Sequence, residues 1–396
     1  MLAHWEMRAW FNTIELAIRL PLPAFFAAMN LRFSPLLQLA AAPATIGRFA
    51  QAPEPVVIEK RIEVPVRAAP SAEAAYLKWK VALSYPADTP QFGSLARKFA
   101  DKLRRASAGA IALELEEPGK LVAPAQCLEA AGKGTVDACW STPGMWTTRE
   151  PAFAVFGGIP FGPEAVEYVA WLNYGGGQEL LDEVYARFAV KSVLCGITTP
   201  EAGGWFKKPV QTADDLKGLK VRASGLAARV LTKAGADPRH VEAGKILPAL
   251  KDGGLDGAEY SFPLIDLGLG FHTIVSNYYF PGWQQPTVPL ELLVNRKAWD
   301  ALPEATRGQI ELACGDTVRD GLSEGEAMQA AALRELRAKG VVFQRWPQGV
   351  LDTLEKAWLD IAEQEGAADA NFKRVWSALS AFRSEYETWR RLGHVP

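Results

Sequence analysis

The chain has 396 residues, with 43 Lys and Arg against 45 Asp and Glu, for a formal net charge of −2. This balance excludes the broad basic surface that nucleic acid or an anionic membrane requires. Apolar residues are 49% and charged residues 22%, which excludes disorder, and no apolar run reaches the ~18 residues that cross a membrane. The length suits two or three domains, and thirteen Trp suit a lined cleft as well as a core.

Residues 1–75 read as an extension ahead of the first domain. Trp5, Trp10, Phe11, Ile14 and Ile18 alternate with Glu6, Arg8, Glu15 and Arg19, an amphipathic helix pattern that Pro21 and Pro23 stop. From Met29 a short basic start, a modest apolar stretch and Ala50-Gln51-Ala52 follow the order of a secretory signal; an amphipathic tail is the equal alternative. Residues 53–75 read as a linker with one short strand-like segment.

The body begins near residue 76. Alternation predicts a strand over Lys78–Ser84, with Trp79, Val81 and Leu83 on one side, and a turn at Pro86–Pro90. Phe92, Leu95, Phe99 and Leu103 have helical spacing over 92–107. A strand over 110–115, a short helix over 124–131 and a strand over 136–140 complete a first unit. Residues 192–198 are strand-like. A second unit follows the same order: strand 219–223, helix 224–234, strand 238–242, helix 244–251 and strand 255–260. Leu128-Glu-Ala-Ala-Gly-Lys-Gly134-Thr-Val-Asp137 aligns with Leu247-Pro-Ala-Leu-Lys-Asp-Gly253-Gly-Leu-Asp256. Beyond Ala298 helices fit 303–339, 348–364 and about 370–391, with Trp358, Trp376 and Trp389 as their bulky apolar side.

Alternating strand and helix predicts an α/β fold with parallel sheets, and two such units predict two lobes. Residues 76–200 are expected to form mainly the first lobe and 201–298 mainly the second, with a helical segment over 299–396 completing them. A ligand then sits between the lobes at the carboxyl ends of the strands, under hinge closure. Loops 85–92, 141–148 and 284–291 would set the size of its pocket.

Familiar enzyme signatures are absent: HExxH, GxSxG and GxxxxGK[ST] do not occur, and His4, His240, His272 and His394 are scattered. Cys127, Cys139, Cys195 and Cys314 form no CxxC pair, which argues against a zinc or iron–sulfur site. They are expected as four small buried thiols, although export would permit up to two disulfides. The balance of these absences favours binding over catalysis.

Four places carry candidate binding chemistry. Arg222 ends a strand just before Ser224-Gly225 opens a helix, a ready carboxylate site; a structural ion pair is the alternative. Glu259-Tyr260 ends the later strand. An acid in an anion-binding cleft makes sense where a cation bridges it to the ligand; an N-cap or salt bridge is the plainer account. Glu201-Ala-Gly203-Gly204-Trp205-Phe206 follows the strand at 192–198, with glycines for close backbone approach and Trp205 as a wall; a tight turn with a core Trp is the alternative. Tyr278-Tyr-Phe-Pro-Gly-Trp283 reads as hinge or core.

Together, Gly203-Gly-Trp-Phe-Lys-Lys208, Asp214-Asp-Leu-Lys-Gly-Leu-Lys-Val-Arg222, Asp256-Gly-Ala-Glu259-Tyr260 and Tyr278–Trp283 resemble the DctP-like solute-binding proteins of tripartite ATP-independent periplasmic (TRAP) transporters. The resemblance runs from about residue 78 to the C-terminus and is nearest to the 2-oxoacid-binding branch. It implies a venus-flytrap fold, periplasmic localisation and delivery of a small 2-oxo- or 2-hydroxycarboxylate to a membrane permease, without catalysis. It implies that Arg222 grips the ligand carboxylate, while Glu259 by its side chain and Tyr260 by its carbonyl hold a cation shared with the ligand. That branch usually has Gln at the position of Glu201 and Trp at that of Tyr260. A second acid, Glu201, would favour Ca²⁺ over Na⁺, unless Glu201 turns out of the site. The branch also exchanges a long C-terminal helix between protomers of a dimer, a part residues 370–391 suit, as they would suit packing on their own chain. The 75-residue start departs from the family pattern. A ligand-sensing component without a transport role, and a two-lobed enzyme acting on organic acids, are the alternatives.

Overall fold

The structure, a computed structural model, describes residues 76–393. The amphipathic helix, signal region and linker read from residues 1–75 lie outside the described residues.

β1 (Leu77–Leu83) turns Trp79, Val81 and Leu83 into a core that α1 (Phe92–Ala106) covers with Leu95, Phe99 and Leu103. The period of two in the strand and 3.6 in the helix put those side chains face to face. Full burial of each contributes about 1.5–3 kcal/mol. β2 (Ile111–Glu116), α2 (Cys127–Lys133) and β3 (Ala138–Ser141) finish the first unit. Three helices without a clear periodic signal follow, α3 (Phe153–Phe156), α4 (Ala165–Tyr174) and α5 (Gly177–Ala186), then β4 (Val190–Ile197) and β5 (Gly204–Phe206).

The second unit is β6 (Lys220–Arg222), α6 (Gly225–Lys233), β7 (Asp237–Arg239), α7 (Ala243–Asp252) and β8 (Gly257–Ala258). α8 (Pro263–Leu269), β9 (Asn277–Phe280), β10 (Pro289–Asn295), α9 (Arg296–Asp300), α10 (Glu304–Ala338), β11 (Val342–Arg345), α11 (Gln348–Ala368) and α12 (Ala370–Gly393) complete the chain.

The two units are copies in register as well as in order. Val81 pairs with Ala138 as Val221 pairs with Gly257. Both intervening helices end on a left-handed glycine, Gly134 (φ 68°) and Gly253 (φ 89°), a conformation that costs a residue with a Cβ. Asp137 then accepts the Lys80 amide at 2.8 Å, and Asp256 the Lys220 amide at 3.1 Å. The aspartates recur because each closes the same strand-edge amide.

The strand orders are β2-β1-β3-β10-β4 and β7-β6-β8-β5-β9-β11. Both sheets are mixed, where alternation alone predicted parallel ones: β10 runs antiparallel to β3 and β4, and β5 antiparallel to β8 and β9. The chain crosses between lobes after β4 and crosses back after β9, so that β10 joins the first sheet and β11, later still, returns to the second. β10 therefore belongs to the first lobe, although it falls in the stretch 201–298 assigned to the second. The two crossings lie side by side, with the Thr198 amide donating to the Val288 carbonyl and the Val288 amide to Thr198 Oγ1, each at 3.0 Å. α10 crosses as well, packing on β4 and α1 and, further along, on α8.

The cysteines are not the four buried thiols expected. Cys127 pairs with Cys139, and Cys195 with Cys314. The pairs join α2 to β3 and β4 to α10. α12 packs on its own chain, burying Phe372, Val375 and Leu379 against the first lobe and α11. Arg383 of α12 holds Glu167 at 3.1 Å and the Phe161 carbonyl at 2.7 Å.

Candidate functional site

A cleft of about 640 Å³ lies between the lobes. The second lobe brings Arg222 and Glu259 from the carboxyl ends of β6 and β8, with Tyr260 and Ser261 just beyond; the first crossing brings Glu201 and the second Gln284. The first lobe faces them with Tyr85, Phe92, Thr142 and Met145. All three loops expected to set the pocket size, 85–92, 141–148 and 284–291, contribute to its walls.

The Arg222 guanidinium is held from three directions. Nη1 donates to the Glu259 carbonyl at 2.8 Å and to Glu259 Oε1 at 3.0 Å, and Nε donates to the Val241 carbonyl at 3.3 Å. The Tyr260 ring lies beneath it, 5.1 Å from centroid to Cζ. Among the described residues Nη2 has no hydrogen-bond partner, so one edge of a fixed fork remains for an anion.

Glu259 is buried, and burial raises its pKa above the ordinary carboxylate value while the Arg222 charge and the Ser224 amide hold it down. Glu201 is also buried. Burial first, then the charges of Glu259 and Asp266, push it well above the ordinary value, opposed by the Gln284 side chain and Arg222. Of the two acids only Glu259 is ion-paired with Arg222, so ionising Glu201 as well calls for a further positive charge. Near them three buried polar atoms lack a partner: Ser261 Oγ, Gln284 Oε1 and Asp266 Oδ1. The Tyr260 carbonyl accepts no hydrogen bond among the described residues. A buried oxygen without a partner costs roughly 1–3 kcal/mol, so such a group signals a missing partner.

This donor set fits a hard cation: two carboxylates, a free carbonyl and unsatisfied neutral oxygens. No group of three or more His, Cys, Asp or Glu able to hold a metal occurs among the described residues, so a cation here would depend on neutral oxygens and on the ligand.

Four of the five residues read from the sequence, Arg222, Glu201, Glu259 and Tyr260, meet in this cleft. Trp205 does not line it. It is fully buried, stacks on Tyr278 with centroids 3.8 Å apart, and donates from Nε1 to Asp266 Oδ2 at 2.9 Å. Its strand pairs on both sides, with Ala258 and with Tyr278, which directs the indole into the lobe's core. The glycines before it meet protein and not ligand: a Cβ on Gly204 (φ 111°) would lie 3.0 Å from the Ala258 carbonyl, and one on Gly203 would collide with Trp346. Tyr85, Ser261, Gln284 and Asp266 escaped sequence reading. Tyr85 stands in the turn just after β1, at the carboxyl end of a strand, a position that could have marked it; nothing local marks the other three.

The family model for bacterial extracellular solute-binding protein family 7, DctP, matches residues 81–364. A monocarboxylate 2-oxoacid-binding periplasmic protein of Nostoc sp. is 32% identical over 319 residues, covering 81% of this chain and 87% of that one. A TRAP periplasmic solute-binding protein of Colwellia psychrerythraea, with bound calcium and pyruvate, superposes with a TM-score of 0.75 at 29% identity, covering 80% of this chain and 97% of the other. One from Pseudoalteromonas atlantica, with bound sodium and pyruvate, superposes with a TM-score of 0.72 at 28% identity, covering 79% and 95%.

Proposed function

The chain belongs to the DctP family of bacterial extracellular solute-binding proteins, and on that footing we propose that it binds a small 2-oxo- or 2-hydroxycarboxylate with a metal cation and delivers it to the membrane subunits of a TRAP transporter. The observation that carries this reading is the pairing of Arg222 with Glu259 beside a second buried acid, Glu201. A carboxylate ligand takes the open edge of Arg222. The Glu259 side chain and the Tyr260 carbonyl hold the cation, with Glu201 as the second acidic ligand. The cation supplies the charge that lets an anion enter a pocket already rich in carboxylates. Two acids favour Ca²⁺ over Na⁺.

A periplasmic location accords with the two disulfides, which persist in oxidising compartments. Among the described residues no helix is long and apolar enough to cross a membrane. In this reading the protein is a receptor without turnover, and pyruvate incubated with it stays unchanged by proton NMR. The homodimer belongs to the same proposal; the outer end of α12 leaves Leu392 81% exposed, and light scattering on the purified protein measures the mass.

The test is a thermal-shift screen of 2-oxo- and 2-hydroxyacids on chelator-treated protein, with CaCl₂ or NaCl added back. A ligand of the native state raises the melting temperature. Pyruvate or a close relative should do so, and more with CaCl₂. No shift from any acid, with either salt, would sink the proposal.

A further inference from the structure

Asp266 stands on α8, seven residues beyond Glu259, and is fully buried. Its two oxygens are treated differently. Oδ2 accepts Trp205 Nε1 and Tyr278 Oη, each at 2.9 Å, whereas Oδ1 has no partner. Two neutral donors on one oxygen fix the carboxyl plane without neutralising its charge. Removing an acid from water on such terms is costly, and burial raises its pKa to about 7. Asp266 backs the cleft without lining it: its neighbour Ile265 and Ser261 both form the wall, and the Ser261 amide helps to hold the Asp266 charge, while Asp266 in turn raises Glu201. The cleft also presents two neutral oxygens without partners, Ser261 Oγ and Gln284 Oε1, each more than nine-tenths buried.

We propose that Asp266 is a positioning residue of the cleft that contributes negative charge from behind Glu201 and Glu259, anchored by Trp205 and Tyr278, and so sets the preference for a divalent over a monovalent cation. The inference rests on the cation reading above. With Asp266 ionised, three acids face one Arg222, a net deficit that two positive charges fill. A fixed charge acts on a divalent ion with twice the energy it exerts on a monovalent ion at the same point. Asp266 therefore acts on the ratio of the two affinities. Trp205 acquires a role in place of the cleft wall it does not form.

The test compares wild type with Asp266→Asn, which keeps size and an acceptor for Trp205 and Tyr278 and removes the charge. CaCl₂ and NaCl are each titrated calorimetrically into chelator-treated protein at fixed pyruvate. Ca²⁺ affinity should fall about tenfold or more, and Na⁺ affinity by about the square root of that factor. Equal loss for both ions, or no loss, overturns the role of Asp266 while leaving the cation reading intact. Pyruvate binding by wild type without either ion overturns both. Should the variant fail to fold, wild type carries the test: the Trp205 indole N–H resonance should move on adding CaCl₂ without acid, and less with NaCl. A resonance unmoved by Ca²⁺ that binds overturns the proposal.

Discussion

Arg222 and Glu259 stand where the first lobe has Ala82 and Trp140. The registers of the two units fix this equivalence, since Val81 pairs with Ala138 and Val221 with Gly257. Ala82 and Trp140 are 2% and 0% exposed, core residues of their lobe. The copied scaffold therefore carries an apolar pair in one lobe and an ion pair in the other. Only the second lobe sets a cation at this strand end, and it faces the cleft.

Removing Arg222 should weaken acid binding by a factor of about 30 or more, since a charged partner in a desolvated site is worth ~2–5 kcal/mol. It also strands Glu259, a loss of about 1–3 kcal/mol in stability. Arg222→Ala with Glu259→Ala should recover part of the stability and none of the binding. Calorimetry with pyruvate and denaturant melts of the three variants separate the two effects.

Glu201→Gln should stabilise the empty protein at neutral pH. An acid whose pKa is raised on folding adds stability below its ordinary value and loses it as pH rises toward the folded value. Replacing it by an amide removes that loss. Melting temperatures at pH 5 and 7.5, without cation or acid, should show the larger gain at pH 7.5. The same variant should lose most of the CaCl₂-dependent shift.

Glu291 gives a second pH effect away from the cleft's cation donors. It is buried, accepts hydrogen bonds from Ser192 at 2.7 Å, Trp146 at 3.3 Å and Tyr185, and burial raises it from 4.5 to about 7. Its folded form binds the proton more tightly, so stability falls as pH climbs from about 4.5 to 7 and then levels. The drop assigned to it is on the order of 2–3 kcal/mol. Wild type should lose that much more than Glu291→Gln between pH 5 and 7.5; identical slopes would rule it out.

The disulfides should leave no free thiol in the unreduced, denatured protein, as measured by thiol titration. Their loops differ in length, with sequence separations of 12 for Cys127–Cys139 and 119 for Cys195–Cys314. Loop-closure entropy makes the longer link worth more, roughly 4–5 kcal/mol against 3. The Cys195→Ser/Cys314→Ser variant should therefore melt lower than Cys127→Ser/Cys139→Ser.

Local chemistry made much of this protein legible. Strand alternation marked β1, helical spacing marked α1, and the glycines at 134 and 253 stopped their helices wherever the rest of the chain went. The repeated Asp137 and Asp256 betrayed the duplication because each serves an amide in its own unit. Arg222, Glu201 and Glu259 could be singled out because a charge near a strand end is conspicuous in any context. What pairs across distance was decided by the tertiary structure. β10 returns to the first lobe and runs antiparallel between β3 and β4 because sheet edges compete for partners that no local pattern specifies. Trp205 turned from a cleft wall into the anchor of Asp266 because an indole suits a wet wall and a dry core equally, and only its neighbours choose. The cysteines became two disulfides once folding brought their backbones together. Gln284 and Ser261 came to line the cleft, with Asp266 behind it, for the same reason: whether a polar atom is buried, and whether it keeps a partner there, depends on residues far away in sequence.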